Sequence, residues 1–386
     1  LYPGVFARKA PLWRTGENIQ FTNLGVQKIP GWSQLVDTAG GGPIRGILQT
    51  LENGGADAII YSGDLDTIYR TNVADEDAVV VGTGFNLSED SGSAVWFDAG
   101  PPPVTSTWDD GESTWDYGVI RASHWSFAPY GEWVLAAYGD APLIRKGSGN
   151  FVSMYQGVTG GVVTSAGSGY VVGDTLTCTG GTFSTAATAT VTSIDGAGGI
   201  LTVGMTTSGT GYTVAPTGFS GGTGSSAVIT WTLCDIDVST VDIFRVSGPH
   251  VLGFNTSVSP KEFIWCDADD PDTWVAASDN LAGQLEIREL QSPIRAAVPL
   301  GSRIAVYGND QMFLVSYLAN DLVFGYQPAL NGIGAVSKKA VVPVGRQNYG
   351  LSEQGFFITD GQSFEYIDEP AIRTYYEENA NKAQLS

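Results

Sequence analysis

The chain has 386 residues, 42% hydrophobic and 11% aromatic, enough apolar surface for one large all-β domain or a few ordinary ones. Its 51 glycines and 18 prolines exclude a protein built of long helices, because both residues are poor in helix interiors and common at turns. Forty acidic against 19 basic residues give a formal charge of −21, which excludes tight binding of a phosphate backbone through a broad basic surface.

The charge is unevenly spread. The opening arm, residues 1–31, is basic, with Arg8, Lys9, Arg14 and Lys28 against Glu17. From Glu52 to Asp140 a long series of acids is met only by Arg70 and Arg121. Such asymmetry suits subunits that meet basic arm to acidic body, although a solvated charged face produces the same pattern. Leu1 is not an initiating Met, so the expectation is a trimmed chain whose native termini lie outside it.

A loose unit then recurs, an apolar strand ending in a Gly or Asn turn and followed by a second strand of aromatic or branched residues. Its copies are "ADAIIYSGDLDTIYRT" from Ala56, "GEWVLAAYGDAPLIRKG" from Gly131, "GPHVLGFNTSVSPKEFIWCDAD" from Gly248, "GSRIAVYGNDQMFLVSYL" from Gly301 and "GRQNYGLSEQGFFITDGQSFEYI" from Gly345. Each reads as a hairpin too short to bury a face alone, as the inner strands of a propeller blade would be. Phe356, Phe357, Phe364 and Tyr366 in the last copy read as blade packing; an aromatic ligand platform is the sharper alternative.

One interval breaks the rhythm. From Gly157 to Leu233 the composition turns to Gly, Ser, Thr, Ala and Val, with Asp174 and Asp195 as the only charged side chains. "GSGY" (Gly167 to Tyr170) recurs there as "GTGY" (Gly209 to Tyr212), each followed by β-rich runs. Thr/Val alternation in "ATATVTSI" favours folded strands over a low-complexity linker. The expected fold is an all-β, irregular propeller with an inserted small β domain: 1–156 propeller, 157–233 duplicated module, 234–386 propeller. The module is expected to be autonomous, with halves that supply their own strands and ends close together.

The chemistry is thin. His124 and His250 are the only histidines, and no G-x-S-x-G, H-E-x-x-H or G-x-x-x-x-G-K-[ST] motif occurs, so no catalytic, cofactor or metal residue is assigned and the chain is expected not to be an enzyme. "WCDADDPDTW" gathers Asp267, Asp269, Asp270 and Asp272 in a turn that could hold calcium, but Pro271 and Asp272 break the EF-hand pattern. "TWDDGESTW" (Thr107 to Trp115) resembles the Asp-box turn of sialidase-type propellers with one residue too many. Cys178, Cys234 and Cys266 read as reduced, buried small residues. With no run of membrane-span length and no signal peptide, the chain reads as soluble and made in a cytoplasm.

Several stretches together resemble the β-propeller proteins of bacteriophage tails, which include the nozzle or tail-tube proteins of short-tailed phages. "ENIQFTNLGVQKIPGW" (Glu17 to Trp32) resembles that family's entry segment, and "FIWCDADDPDTW" (Phe263 to Trp274) its W-S-D-x-x-D-P-x-x-W turn, with Cys266 where Ser is usual. "GIGAVSKKAVVPVGRQNYGLSEQGFFITDGQSFEYI" resembles its last complete blade and "RTYYEENANKAQ" the segment that follows; the chain stops at Ser386, where the family's chains often run on. The resemblance implies a virion structural protein, assembled in the host cytoplasm as a homo-oligomeric ring, a hexamer, beside other tail or adaptor proteins. DNA would transit its channel without specific binding, repelled by acidic walls. The alternative is a carbohydrate-binding or glycan-cleaving propeller in which Trp108, Trp115 and Trp274 stack on sugar rings.

Overall fold

The computed structural model describes residues 19–22, 25–28, 46–52, 57–64, 67–73, 77–83, 124–139, 141–318, 322–367 and 374. The short hairpin β1 (Ile19–Thr22) and β2 (Gly25–Lys28) opens the order. Arg8, Lys9, Arg14, the Asp-box-like turn with Trp108 and Trp115, and the segment after Ile367 that carried part of the resemblance lie outside the described residues, as does the side chain of Lys28. No helix among the described residues is long and apolar enough to cross a membrane.

The protein is an all-β, propeller-like molecule with five four-stranded antiparallel blades among the described residues. The first blade is β3 (Gly46–Glu52), β4 (Asp57–Gly63), β5 (Thr67–Asn72) and β6 (Asp77–Thr83). The second is β7 (Ser126–Tyr130), β8 (Trp133–Ala137), β9 (Leu143–Arg145) and β10 (Val152–Ser153). An inserted module follows, formed by β11 (Val158–Ser168), β12 (Thr175–Thr179), β13 (Thr188–Ile194), β14 (Ile200–Thr207), β15 (Gly218–Gly221) and β16 (Ser225–Leu233). The third blade is β17 (Val241–Ser247), β18 (His250–Thr256), β19 (Glu262–Trp265) and β20 (Gly283–Glu286). The fourth is β21 (Ala296–Leu300), β22 (Arg303–Tyr307), β23 (Gln311–Tyr317) and β24 (Phe324–Asn331). The fifth is β25 (Val341–Val344), β26 (Gln347–Ser352), β27 (Gly355–Thr359) and β28 (Phe364–Tyr366).

The first four sequence repeats are the central strand pairs of their blades, not the innermost ones, and the fifth adds the fourth strand β28 to such a pair. Blades meet through their first strands, β3 with β7, β7 with β17, β17 with β21 and β21 with β25. Because side chains alternate across a strand, neighbouring residues serve different interfaces. On β19, Phe263 joins the core between the third and fourth blades, whereas Ile264 joins the core toward the second blade and the module. On β21, Ala297 packs toward the third blade and Ala296 and Val298 toward the fifth. Central blades therefore read as continuous apolar runs, the signature of a sheet covered on both faces.

The glycine that opens four of the five repeats is the first residue of the two-residue loop between a blade's first and second strands. Gly131, Gly248, Gly301 and Gly345 have φ of 59°, 60°, 63° and 64°, the positive φ that tight hairpin loops require. Leu300 pairs with Arg303 across one such loop.

The inserted module differs from the expected pair of self-sufficient halves. β11 of the first half pairs with β16 of the second, β14 of the second with β13 of the first, and β12 with β15 across the middle. The halves thus exchange strands, and neither has a complete sheet alone. The duplication survives in detail: Gly167 and Gly209 both have φ of 64°, and Tyr170 and Tyr212 are both buried. A Cβ on Gly167 or Gly209 would lie 2.4 Å from a carbonyl oxygen, of Ser225 or Thr185 respectively.

Val158 pairs with Leu233, so the module's ends are adjacent. It is not a free appendage, however. Asn150 N–H donates to Met205 O at 2.8 Å, Val158 N–H to Ser208 O at 3.0 Å, and Gly149 packs on Gly204 with no room for a Cβ at either position. One apolar cluster runs from Ile144 and Met154 through Met205 and Trp231 to Phe244 and Trp274, linking the second blade, the module and the third blade.

Gly301→Ala places a Cβ in open space, since nothing lies within 4 Å of it, so its cost is purely conformational. Urea unfolding should show a loss of about 1–2 kcal/mol, the cost of a left-handed L-residue, with Gly301→Asn less harmful because Asn tolerates that conformation.

Candidate functional site

The first and second blades pack face to face around Tyr61, Ile68, Trp125, Phe127 and Phe151. Trp125 lies over Gly63, where a Cβ would come within 2.5 Å of the indole, and its Nε1–H donates to Asp64 O at 2.8 Å. This close approach sets the spacing of the two sheets. Beside it opens a cleft of about 440 Å³, lined by Glu52, Arg70, Val79, Val80, Val81, Glu132, Arg145, Gly147, Ser148 and Asn150.

The polar wall of the cleft is a four-residue network, with Tyr61 and Arg145 buried and Glu52 and Arg70 half-buried. Tyr61 and Arg70 are cross-strand partners on β4 and β5, and Glu52 ends the adjacent β3 on the same face. Arg70 donates to Glu52 Oε2 through Nε at 3.2 Å and Nη2 at 2.7 Å. The Tyr61 hydroxyl donates a short hydrogen bond to Glu52 Oε1 and accepts from Arg145 Nη1 at 2.6 Å. Arg145, contributed by β9, is 5% exposed; its Nη1 is 3.5 Å from Glu52 Oε1, and its guanidinium lies 5.6 Å from the Tyr61 ring centroid.

One carboxylate serves two guanidinium groups, so the cluster holds an excess positive charge. Burial works to raise the Glu52 carboxyl, but hydrogen bonds from Arg70 and Tyr61 and the charges of both arginines outweigh it and hold the group below its ordinary value. Burial, together with the adjoining carboxylate and against the arginine charges, pushes the Tyr61 phenol far up and keeps it protonated. Burial lowers Arg145, with Tyr61 and Glu52 opposing. Arg145 Nε is buried with no hydrogen-bond partner among the described residues, a defect of about 1–3 kcal/mol in a folded protein.

The acidic turn proposed for calcium is a self-contained strut. Asp270 accepts from Asp272 N–H at 3.0 Å and from the Thr273 hydroxyl at 2.8 Å, and Asp267 from the N–H groups of Ala268 and Leu281, both at 2.8 Å. Asp272 accepts from the Thr159 hydroxyl at 2.7 Å and pairs with Lys146, tying the third blade to the module and the second blade. The Tyr130 hydroxyl lies 3.4 Å from Asp269 Oδ1, so the four carboxylates face separate donors rather than a common centre.

Trp274, expected as a sugar platform, is 4% exposed, packs against Phe244 at 6.0 Å and donates from Nε1 to Pro271 O. His124 is half-buried just before β7. His250 is fully buried, with Nδ1 2.8 Å from Cys266 O and its ring between Tyr317 and Phe324. Cys178, Cys234 and Cys266 are buried free thiols; burial pushes Cys178 and Cys266 up to about 12. A second cationic group sits near the first strands, where Arg245 donates to Ala297 O, Lys338 pairs with Asp242 at 2.5 Å, and burial with the Arg245 and Lys338 charges pushes Lys339 down to about 8.

No family model matches the chain, and no curated protein matches it. Solved structures similar to it include apo AztD from Citrobacter koseri, 10% identical, covering 83% of this chain and 72% of that one with a TM-score of 0.31. A second structure of Citrobacter koseri AztD is 10% identical and covers 80% and 68%, with a TM-score of 0.30. The resemblance to phage tail propellers is corrected, and with it the tail-nozzle function, the carbohydrate-binding or glycan-cleaving alternative, and the virion, viral-tail and DNA-ejection attributes: neither a family model nor a curated protein of that kind matches the chain. The physical reason lies in what carried the resemblance. Gly-X hairpin loops, central blade strands and a carboxylate-locked turn are demands of blade geometry, met by any sequence that builds such sheets.

Glu52→Gln should lower stability by about 3 kcal/mol at neutral pH, because it leaves buried guanidinium charge uncompensated. Since the folded carboxyl sits below 4.5, its contribution is complete above that pH and is lost as pH falls through the folded value. Urea midpoints measured across the acid range should fall more steeply for the parent chain than for Glu52→Gln.

Proposed function

We propose that this chain is a non-catalytic structural β-propeller that works by association, with the outward face of its fifth blade as the contact surface between copies. One observation carries the reading. Blades two to four have apolar side chains on both faces because both faces are covered; the fifth has the same two-faced pattern with a single cover among the described residues.

Its inward residues Val341 and Phe357 pack on Ala296, Val298 and Tyr307 of the fourth blade. The opposite face carries Val342, Val344, Phe356 and Ile367, which are 51%, 56%, 41% and 48% exposed. Cross-strand pairing places Tyr349 beside Val342 and Leu351 beside Phe356 on that same face. Gln347 and Glu365 share that face, and exposed apolar side chains gathered between such polar ones mark an association surface. At the other end of the blade series, β3 exposes Ile47 and Leu51 at 66% and 57%. Seating one copy's fifth blade on the next copy's first blade would repeat between chains the sheet-on-sheet packing made within one, a heterologous contact.

The non-catalytic part of the reading is supported by how reactive side chains are used among the described residues. Asp267, Asp270 and Asp272 hold a turn and a strut, Glu52 holds two arginines, and the thiols are buried and protonated.

Native mass spectrometry of the full chain should reveal an oligomer at micromolar concentration. Phe356→Glu combined with Val342→Glu should convert it to monomer with circular dichroism and melting of a folded chain retained. A parent chain that is monomeric at every concentration contradicts the proposal.

A further inference from the structure

We propose that the cleft between the first and second blades binds a small oxyanion, a carboxylate or phosphate group, through the Nε/Nη2 edge of Arg145. The inference is independent of how copies associate.

Three observations converge. Arg145 makes hydrogen bonds only through Nη1 among the described residues, to the Tyr61 hydroxyl and Glu52. Its Nε is buried without a partner. The unspent Nε and Nη2 donors lie side by side on one edge of the planar group, the geometry that matches two oxygens of a carboxylate or phosphate.

Charge points the same way. Glu52 is shared by Arg70 and Arg145, which leaves one positive charge uncompensated within the network. Glu132 at the rim is exposed to water, where its influence on a buried cation is screened. In a chain of net charge −21, a buried cation excess beside an open cleft runs against the surrounding charge.

The packing pre-organises the donor edge. Tyr61 fixes Nη1 from one side, and the Tyr61 hydroxyl is itself fixed by Glu52, which Arg70 holds through two nitrogens. A guanidinium held this way loses little freedom when an anion arrives. Val79, Val80 and Val81 line the cleft together with polar Ser148 and Asn150, so it suits a compact organic acid or phosphate compound of mixed character.

The test titrates the full chain with inorganic phosphate and, separately, with succinate, reading thermal unfolding and calorimetric heat at ionic strength matched with sodium chloride. The proposal expects a saturable rise in melting temperature from at least one probe beyond the chloride control. Phosphate alone would assign the phosphate class, and succinate alone the carboxylate class. Arg145→Met should abolish the effect. Because that variant removes a network member, Val79→Glu provides the second arm: its side chain is 56% exposed at the cleft, and its charge should weaken binding about tenfold or more by repulsion. No rise beyond chloride from either probe, or equal affinity in Val79→Glu, overturns the proposal.

Discussion

A four-stranded sheet with apolar side chains on both faces cannot stand in water; each face needs another layer against it. Among the described residues the first strands carry that burden, those of the second, third and fourth blades meeting the first strands of the blade before and the blade after. The alternation of side chains divides each strand between two cores, so the Phe313 and Leu314 side chains of one strand belong to different interfaces. Stability is thereby distributed along the series of blades, and the two end blades, each covered once among the described residues, carry the unmet part of the constraint.

Polar groups serve the same packing. Lys146, Thr159 and Asp272 bind the second blade, the module and the third blade at one point, and the shared apolar cluster behind them makes the module part of the molecule's core. Strand exchange between the module's halves strengthens this attachment, because β11 enters from the second blade and its partner β16 leads toward the third. The Glu52, Arg70, Arg145 and Tyr61 network differs in kind. It has one more cation than it needs and leaves a donor unspent, which is why a ligand, rather than packing alone, accounts for it.

The legible parts of the fold were those encoded locally. Gly131, Gly248, Gly301 and Gly345 announced each hairpin because an L-residue resists that φ, and the Thr/Val alternation of β13 marked a strand. The first strands of the blades and most of the fourth lay outside the repeats; β10, the fourth strand of the second blade, is only two residues long, too short for periodicity to register. Strand exchange in the module left no local signal, since a repeat in sequence does not say which copy pairs with which. Phe356 was read with Phe357 as packing, yet adjacent residues on a strand face opposite sides. The cleft was invisible because Glu52 and Arg145 are 93 residues apart; its one trace was the scarcity of basic residues around Arg70.

The central claim is that the fifth blade's outward face is covered by another copy. Hydroxyl-radical footprinting read at Val342, Val344, Tyr349 and Phe356, above and below the concentration at which copies associate, tests it directly. The account predicts that these side chains become protected as association proceeds, whereas Val162 and Leu201 on the module, exposed at 64% and 54%, stay reactive. Unchanged reactivity at Val342 and Phe356 while an oligomer forms, with protection appearing on the module instead, would contradict it.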